Sequence, residues 1–63
     1  MKIHIISKED KYLNPTTDKI LFLNDSIKVF INDILKIKDD NFLVVGRETT
    51  IFNKVVWKIK KIN

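Results

Sequence analysis

The chain has 63 residues, no cysteine, and a formal net charge of +4 from twelve basic and eight acidic side chains. This length allows one small domain, residues 1–63, and leaves no room for a second. The lack of cysteine excludes a disulfide framework and favours a reducing, cytoplasmic setting. No apolar run approaches the roughly 18 residues of a membrane span. The apolar stretch at the amino terminus is too short for a signal peptide, so we expect a soluble chain.

Isoleucine and lysine dominate the composition, whereas alanine and glutamine are absent. This bias is typical of an A/T-rich coding sequence, as in low-GC bacteria and their phages or plasmids. Isoleucine then enters helices as well as strands, so its β-propensity is a weakened signal. The excess of basic over acidic side chains favours an acidic partner, either nucleic acid or an acidic protein surface.

The first half of the chain begins with a predicted strand at residues 2–7, with Ile3 and Ile5 on one face. The polar sequence that follows predicts a long loop, because Pro15 forbids a regular ladder there. Residues 19–23 (KILFL) are nearly continuous in apolar side chains, which predicts a second strand near the centre of the sheet.

Residues 25–38 (DSIKVFINDILKIK) fit both regular structures. A helix would form one apolar stripe from Ile27, Phe30, Ile31, Ile34 and Leu35. An extended chain would alternate Ile27, Val29 and Ile31, then Leu35 and Ile37, with an interruption at Asn32-Asp33.

We favour the extended interpretation of this segment. Turn-forming clusters at residues 24–26, 32–33 and 39–41 leave apolar runs of strand length between them. In favour of the helix, Asp25 or Ser26 would make a suitable N-cap.

The second half predicts a hairpin turn at Asp39-Asp40-Asn41 and a final strand at residues 55–62 with Trp57 and Ile59 towards the core. Gly46 interrupts a strand and predicts a bulge or bend, since positive φ costs glycine little. Together, these elements predict an all-β fold of five or six short strands in a meander, which forms a small barrel or a strongly bent sheet. The alternative is an α+β, ββαββ fold with the helix at 25–38.

Catalytic and metal-binding chemistry find little support. His4 is the only histidine and has no cysteine beside it, so neither a nucleophilic triad nor a zinc site is predicted, and His4 is interpreted as a surface residue. The acidic pairs Glu9-Asp10 and Asp39-Asp40 are typical of turns. We therefore predict a non-enzymatic protein without a metal, a cofactor or a small-molecule substrate.

The basic carboxy-terminal strand is the best candidate for function. Its lysines, which track phosphates when they share a face, surround one tryptophan: Lys54, Lys58, Lys60 and Lys61. Lys36, Lys38 and Arg47 would extend this patch if the strand register brings them to the same face. The competing interpretation is that edge strands carry lysine to prevent intermolecular pairing and that Trp57 is a core residue.

The run Asp40-Asn41-Phe42-Leu43-Val44-Val45, then Arg47 and Phe52-Asn53-Lys54, resembles the second half of the bacterial Sm-like RNA chaperones. The resemblance implies that Asn41, Phe42 and Lys54 lie near an RNA-base pocket, and that edge strands join copies of a small Sm-like or SH3-like barrel into a ring. The chain departs from that pattern in having no histidine after Lys54 and a strand in place of the family's amino-terminal helix.

These observations predict a binding module for RNA or DNA that acts through a lysine-rich strand face. One alternative is a small phage- or plasmid-type protein that docks on a host protein and modulates it. A structural or assembly subunit, present as a homo-oligomer, is a further alternative.

Overall fold

The structure is a computed structural model that describes residues 1–7, 12–13, 18–23 and 27–63. In these ranges the chain is all-β, without a helix. The strands are β1 (Ile3–Ile6), β2 (Tyr12–Leu13), β3 (Lys19–Phe22), β4 (Ile34–Ile37), β5 (Asp40–Thr49) and β6 (Val55–Lys61). The predicted all-β class is confirmed, and β2 lies inside the sequence that had been predicted as loop.

The strands form one mixed sheet in the order β1-β4-β5-β6-β3-β2, curled into a half-barrel. Its centre is the predicted meander, in which β4, β5 and β6 pair antiparallel in sequence order. β1 pairs parallel to β4, and β3 pairs antiparallel to β6. β6 therefore lies inside the sheet and is not an edge strand.

The core lies on the concave side of the curl and is built from aliphatic side chains of five strands and of the segment before β4. Its buried members are Ile6, Ile20, Val29, Leu35, Ile37, Val44 and Ile59. Trp57 is partly buried and packs against this cluster. The predicted inward direction of Trp57 and Ile59 on the last strand is confirmed.

The segment at 27–38 is extended without being one continuous strand. Val29 is buried and Phe30 is 70% exposed, as alternation requires and as the helical stripe would not allow. The chain turns at Ile31-Asn32, and only Ile34–Ile37 enters the sheet. Asn32 takes a φ of 77°, which asparagine tolerates better than most residues.

The β4–β5 hairpin turns one residue earlier than predicted. Ile37 pairs with Asp40, so the two turn residues are Lys38 and Asp39, and Asp40 already belongs to the strand. Lys38 has a φ of 56°, a left-handed conformation that is strained for a residue with a Cβ. The register between β4 and β5 is thus set by side-chain alternation on both strands, and it forces Lys38 into a strained backbone conformation in the turn.

Gly46 occupies a β-bulge, as predicted, because the β5–β6 register shifts between Val44 and Gly46. The bulge does not use the left-handed freedom of glycine, since the φ of Gly46 is not positive. The glycine is needed for space: a Cβ there would lie 3.1 Å from Cδ of Lys58. The stem of Lys58 therefore crosses the strand at the bulge.

Ile3 and Ile5 share one face of β1, as predicted, and that face is the exposed one. Ile3 and Ile5 are 62% and 77% exposed, whereas Ile6 is buried and the side chain of His4 is only 13% exposed. The interpretation of His4 as a surface residue is wrong. Its ring points to the concave side because it has a carboxylate partner there, namely Asp33.

Asp33 is a buried hub of hydrogen bonds. Its Oδ2 accepts from Nε2 of His4 at 2.8 Å and from N–H of Phe30 at 3.0 Å, and its Oδ1 accepts from N–H of Lys2 at 3.1 Å. Its own N–H donates to the carbonyl of Phe30, and its carbonyl accepts from N–H of Val44. One residue thus joins β1, the turn before β4, and β5.

The predicted turn at residues 24–26 and the predicted break at Pro15 lie outside the described residues. So do Glu9 and Asp10, which had been interpreted as turn residues.

The first prediction contrasts two neighbours in the segment before β4. Val29→Ala should lower the free energy of unfolding by about 1.5–3 kcal/mol, because it removes buried apolar surface. Phe30→Ala should change it by no more than about 0.5 kcal/mol, because the ring is exposed. Urea titrations of both variants measure the difference, and equal losses would contradict the extended segment.

The second prediction concerns the hairpin turn. Lys38→Gly should stabilise the fold by about 0.5–1 kcal/mol, because glycine adopts positive φ without strain. The control is Lys36→Gly, which removes the same charge from the middle of β4. This substitution should destabilise the fold by about 0.5–1 kcal/mol, because glycine in a strand loses more conformational freedom on folding. Thermal unfolding followed by circular dichroism distinguishes the two, and a destabilised Lys38→Gly variant would contradict the strained turn.

The third prediction is an acid sensitivity centred on Asp33. Its hydrogen bonds, first from His4 and then from the amides of Phe30 and Lys2, outweigh burial and hold the pKa of this carboxyl below its ordinary value of 3.8. A depressed folded pKa stabilises the fold above the unfolded value, and the gain is lost as the pH falls below it.

The variant Asp33→Asn should therefore unfold at a lower temperature near neutral pH, because an amide NH₂ replaces one of two acceptor oxygens. Its stability should also fall less than that of the parent protein between about pH 5 and pH 3. Asp39→Asn, in the exposed hairpin turn, is the control and should keep the parent's pH dependence. Parallel pH profiles for Asp33→Asn and the parent protein would disprove the role of this carboxylate.

Candidate nucleic-acid interface

Lysine side chains from three strands share the convex face of the sheet. Lys36 lies opposite Asn41, Lys60 opposite Leu43, and Lys19 opposite Lys58. Directly paired residues, and alternate residues of one strand, point to the same side. We call this surface the lysine face, defined by Lys19, Lys36, Lys58 and Lys60.

The bulge at Gly46 helps to place these lysines. Without a Cβ at this position, the stem of Lys58 lies directly against β5, and its ammonium group reaches Glu48 at 3.1 Å. Lys19 reaches the other oxygen of Glu48 at 3.2 Å. These two contacts, the one from Lys58 first, lower the pKa of Glu48, so this carboxylate is ionised at neutral pH and pairs with both lysines.

A shallow depression of about 400 Å³ lies on this side of the molecule. Lys19, Lys58, Lys60 and Lys61 line it, together with Asp18 and Val45. Lys61 also pairs with Asp40 at 3.4 Å. Four ammonium groups against the three carboxylates of Asp18, Glu48 and Asp40 leave a small surplus of positive charge at the depression, which favours an anion such as a phosphate group.

The structure brings only some of the predicted site residues together. Lys36, Lys58 and Lys60 share the lysine face, and Asn41 joins them opposite Lys36. Lys61 lines the depression beside Lys58 and Lys60.

The other predicted site residues lie elsewhere. Arg47 pairs with Trp57 on the concave side, and Phe42 packs against the core. Lys38 lies in the β4–β5 turn, and Lys54 precedes β6 at the opposite end of the sheet. Asn41 and Phe42 point to opposite faces of the sheet and Lys54 lies at its other end, so one chain does not bring these three residues together. The RNA-base pocket that the resemblance implies for them stays a prediction.

Sequence reasoning missed Lys19 as a site residue. In sequence it opens an apolar strand far from the carboxy-terminal lysines, and only the antiparallel pairing of β3 with β6 places it opposite Lys58. Register between distant strands leaves no local signal that would have revealed it.

Trp57 has a different neighbourhood. Cζ of Arg47 lies 5.8 Å from the centroid of its ring, within the range of a cation–π contact. The indole lines two cavities, of about 390 and 400 Å³. The first is formed with β3 residues and Lys54, the second with Lys28, Phe30 and Arg47.

Comparisons with protein-family models, with curated proteins and with solved structures gave no match for this chain. The likeness to Sm-like RNA chaperones thus remains a resemblance carried by the residues named above.

In the described part of the chain, no three metal-ligating side chains come together. The same ranges hold no helix with the length and apolar character needed to cross a membrane.

Proposed function

We propose that this protein is a non-enzymatic module that binds RNA or DNA through its lysine face. The observation that carries the proposal is the alignment of Lys36, Lys58 and Lys60, joined by Lys19, across three strands of one sheet. Ammonium groups arranged along a face contact successive phosphates and release the counterions condensed on them.

The position of β6 supports this proposal. Lysine on an edge strand is commonly explained as protection against intermolecular pairing. β6 is paired with β5 along its length and with β3 at Trp57 and Lys58, so this explanation does not account for Lys58. The exposure of Lys58 on a strand paired at both sides leaves solvation or a binding partner as its role, and the face that it shares with Lys36 and Lys60 favours the partner.

The fourth prediction tests the lysine face by the salt dependence of binding. The protein should bind labelled RNA or DNA, with an affinity that falls steeply between about 50 and 200 mM salt. In Lys36→Gln/Lys60→Gln the slope of log affinity against log salt should shrink by about 1.4–1.8, because two phosphate contacts are lost. Fluorescence anisotropy measures both quantities.

The matched control is Lys2→Gln/Lys38→Gln, which removes the same charge from exposed positions outside the lysine face. It should keep most of the parent's slope. The proposal fails if no binding is found at low salt, or if the two double variants weaken binding equally, since the second result would show an effect of net charge alone.

A second candidate function is docking on a protein partner, and the exposed isoleucines favour it. Ile3 and Ile5 are exposed on β1, which lies at one edge of the sheet. A strand edge with apolar side chains accepts an additional strand from a partner. Affinity capture from a nuclease-treated lysate distinguishes the candidates, because a protein partner should survive the nuclease and nucleic-acid-bridged material should not.

A further inference from the structure

The concave side of the sheet carries a second basic surface that is independent of the lysine face. Its centre is Trp57, whose neighbours on β6 point to the opposite side of the sheet. The two cavities that Trp57 lines are here called the Trp57 groove. Their volumes, about 390 and 400 Å³, fall in the range of roughly 300–1,000 Å³ that is usual for ligand pockets.

Among the described residues, the charged side chains that line the Trp57 groove are all basic. Lys28 and Arg47 line one cavity and Lys54 lines the other, and no carboxylate is found among the described residues that line either. On the lysine face, by contrast, Glu48 occupies two of the ammonium groups. The groove is therefore complementary to an anionic ligand.

An exposed aromatic ring accompanies these cations. Phe30 is 70% exposed and lines the same cavity as Arg47 and Trp57. Its backbone is held in place, since its N–H donates to Oδ2 of Asp33 and its carbonyl accepts from the Asp33 N–H. An exposed apolar ring on an anchored backbone, lining one cavity with an indole, offers a flat ligand aromatic contact area.

We propose that the Trp57 groove binds unpaired bases of a single-stranded nucleic acid. The bases stack against Phe30 and Trp57, and Lys28, Arg47 and Lys54 contact the adjoining phosphates. Aromatic side chains interleaved with cations are the general means of holding single strands, because every base has a π-face. Bases in a duplex are already stacked and paired, so the groove selects single strands.

The experiment uses the emission of Trp57, the only tryptophan in the chain. An oligothymidylate of about four nucleotides, short enough to occupy one site, should quench this emission saturably. A fully paired, blunt-ended DNA duplex, added at the same phosphate concentration, should leave it unchanged. Because the signal arises in the groove itself, binding at the lysine face does not contribute to it.

The decisive variant is Phe30→Ala, with Phe52→Ala as its matched control. Phe52 is 77% exposed in the β5–β6 turn and lines neither cavity of the groove. Phe30→Ala should weaken the affinity measured by quenching about 5- to 100-fold, as loss of one stacking partner does. Phe52→Ala should leave it unchanged, and so should Lys36→Gln/Lys60→Gln.

The proposal is overturned by an absence of saturable quenching, by equal quenching with the duplex, or by equal effects of Phe30→Ala and Phe52→Ala. Quenching that grows with protein concentration without oligonucleotide would assign the groove to a second copy of the chain, and would overturn it too. Each of these outcomes leaves the test of the lysine face intact, since that test reads the salt slope of variants on the other side of the sheet.

Discussion

The architecture depends on the carboxylate of Asp33. β1 and β4 run parallel, and they are distant in sequence, so no tight turn sets their alignment. Asp33 supplies that alignment by accepting hydrogen bonds from Lys2, His4 and Phe30, while its backbone pairs with β5. Because the group is buried, each of these donors would cost free energy if its acceptor were lost.

The same hub connects the core to the candidate sites. By holding the turn before β4, Asp33 places Val29 in the core and Phe30 in solvent beside the Trp57 groove. The alternation of β6 then separates two basic surfaces, with Lys58 and Lys60 on the convex side and Trp57 on the concave side. A single strand thus carries both proposed nucleic-acid contacts, and the sheet keeps them apart.

Local sequence patterns correctly predicted those structural features whose cause lies within a few neighbouring residues. The bulge at Gly46 and the direction of Trp57 and Ile59 follow from one glycine and from alternation along one strand. The hairpin turn lies one residue earlier than predicted, because Lys38 adopts a positive φ, which a lysine in the sequence does not indicate. Burial of His4 was missed for a related reason, since its acceptor lies 29 positions away.

By itself, the sequence favoured an all-β chain over a ββαββ fold and indicated one small core, turns near residues 32–33 and 39–41, and a surplus of lysine towards its end. Those features follow from side-chain periodicity and turn chemistry, which act over a few residues. Only the tertiary structure decided which lysines share a face. It placed Lys19 opposite Lys58, and it placed Arg47 beside Trp57, away from the lysine face. Such groupings depend on the register between strands that are distant in the chain, and register is set by the packing of the whole sheet.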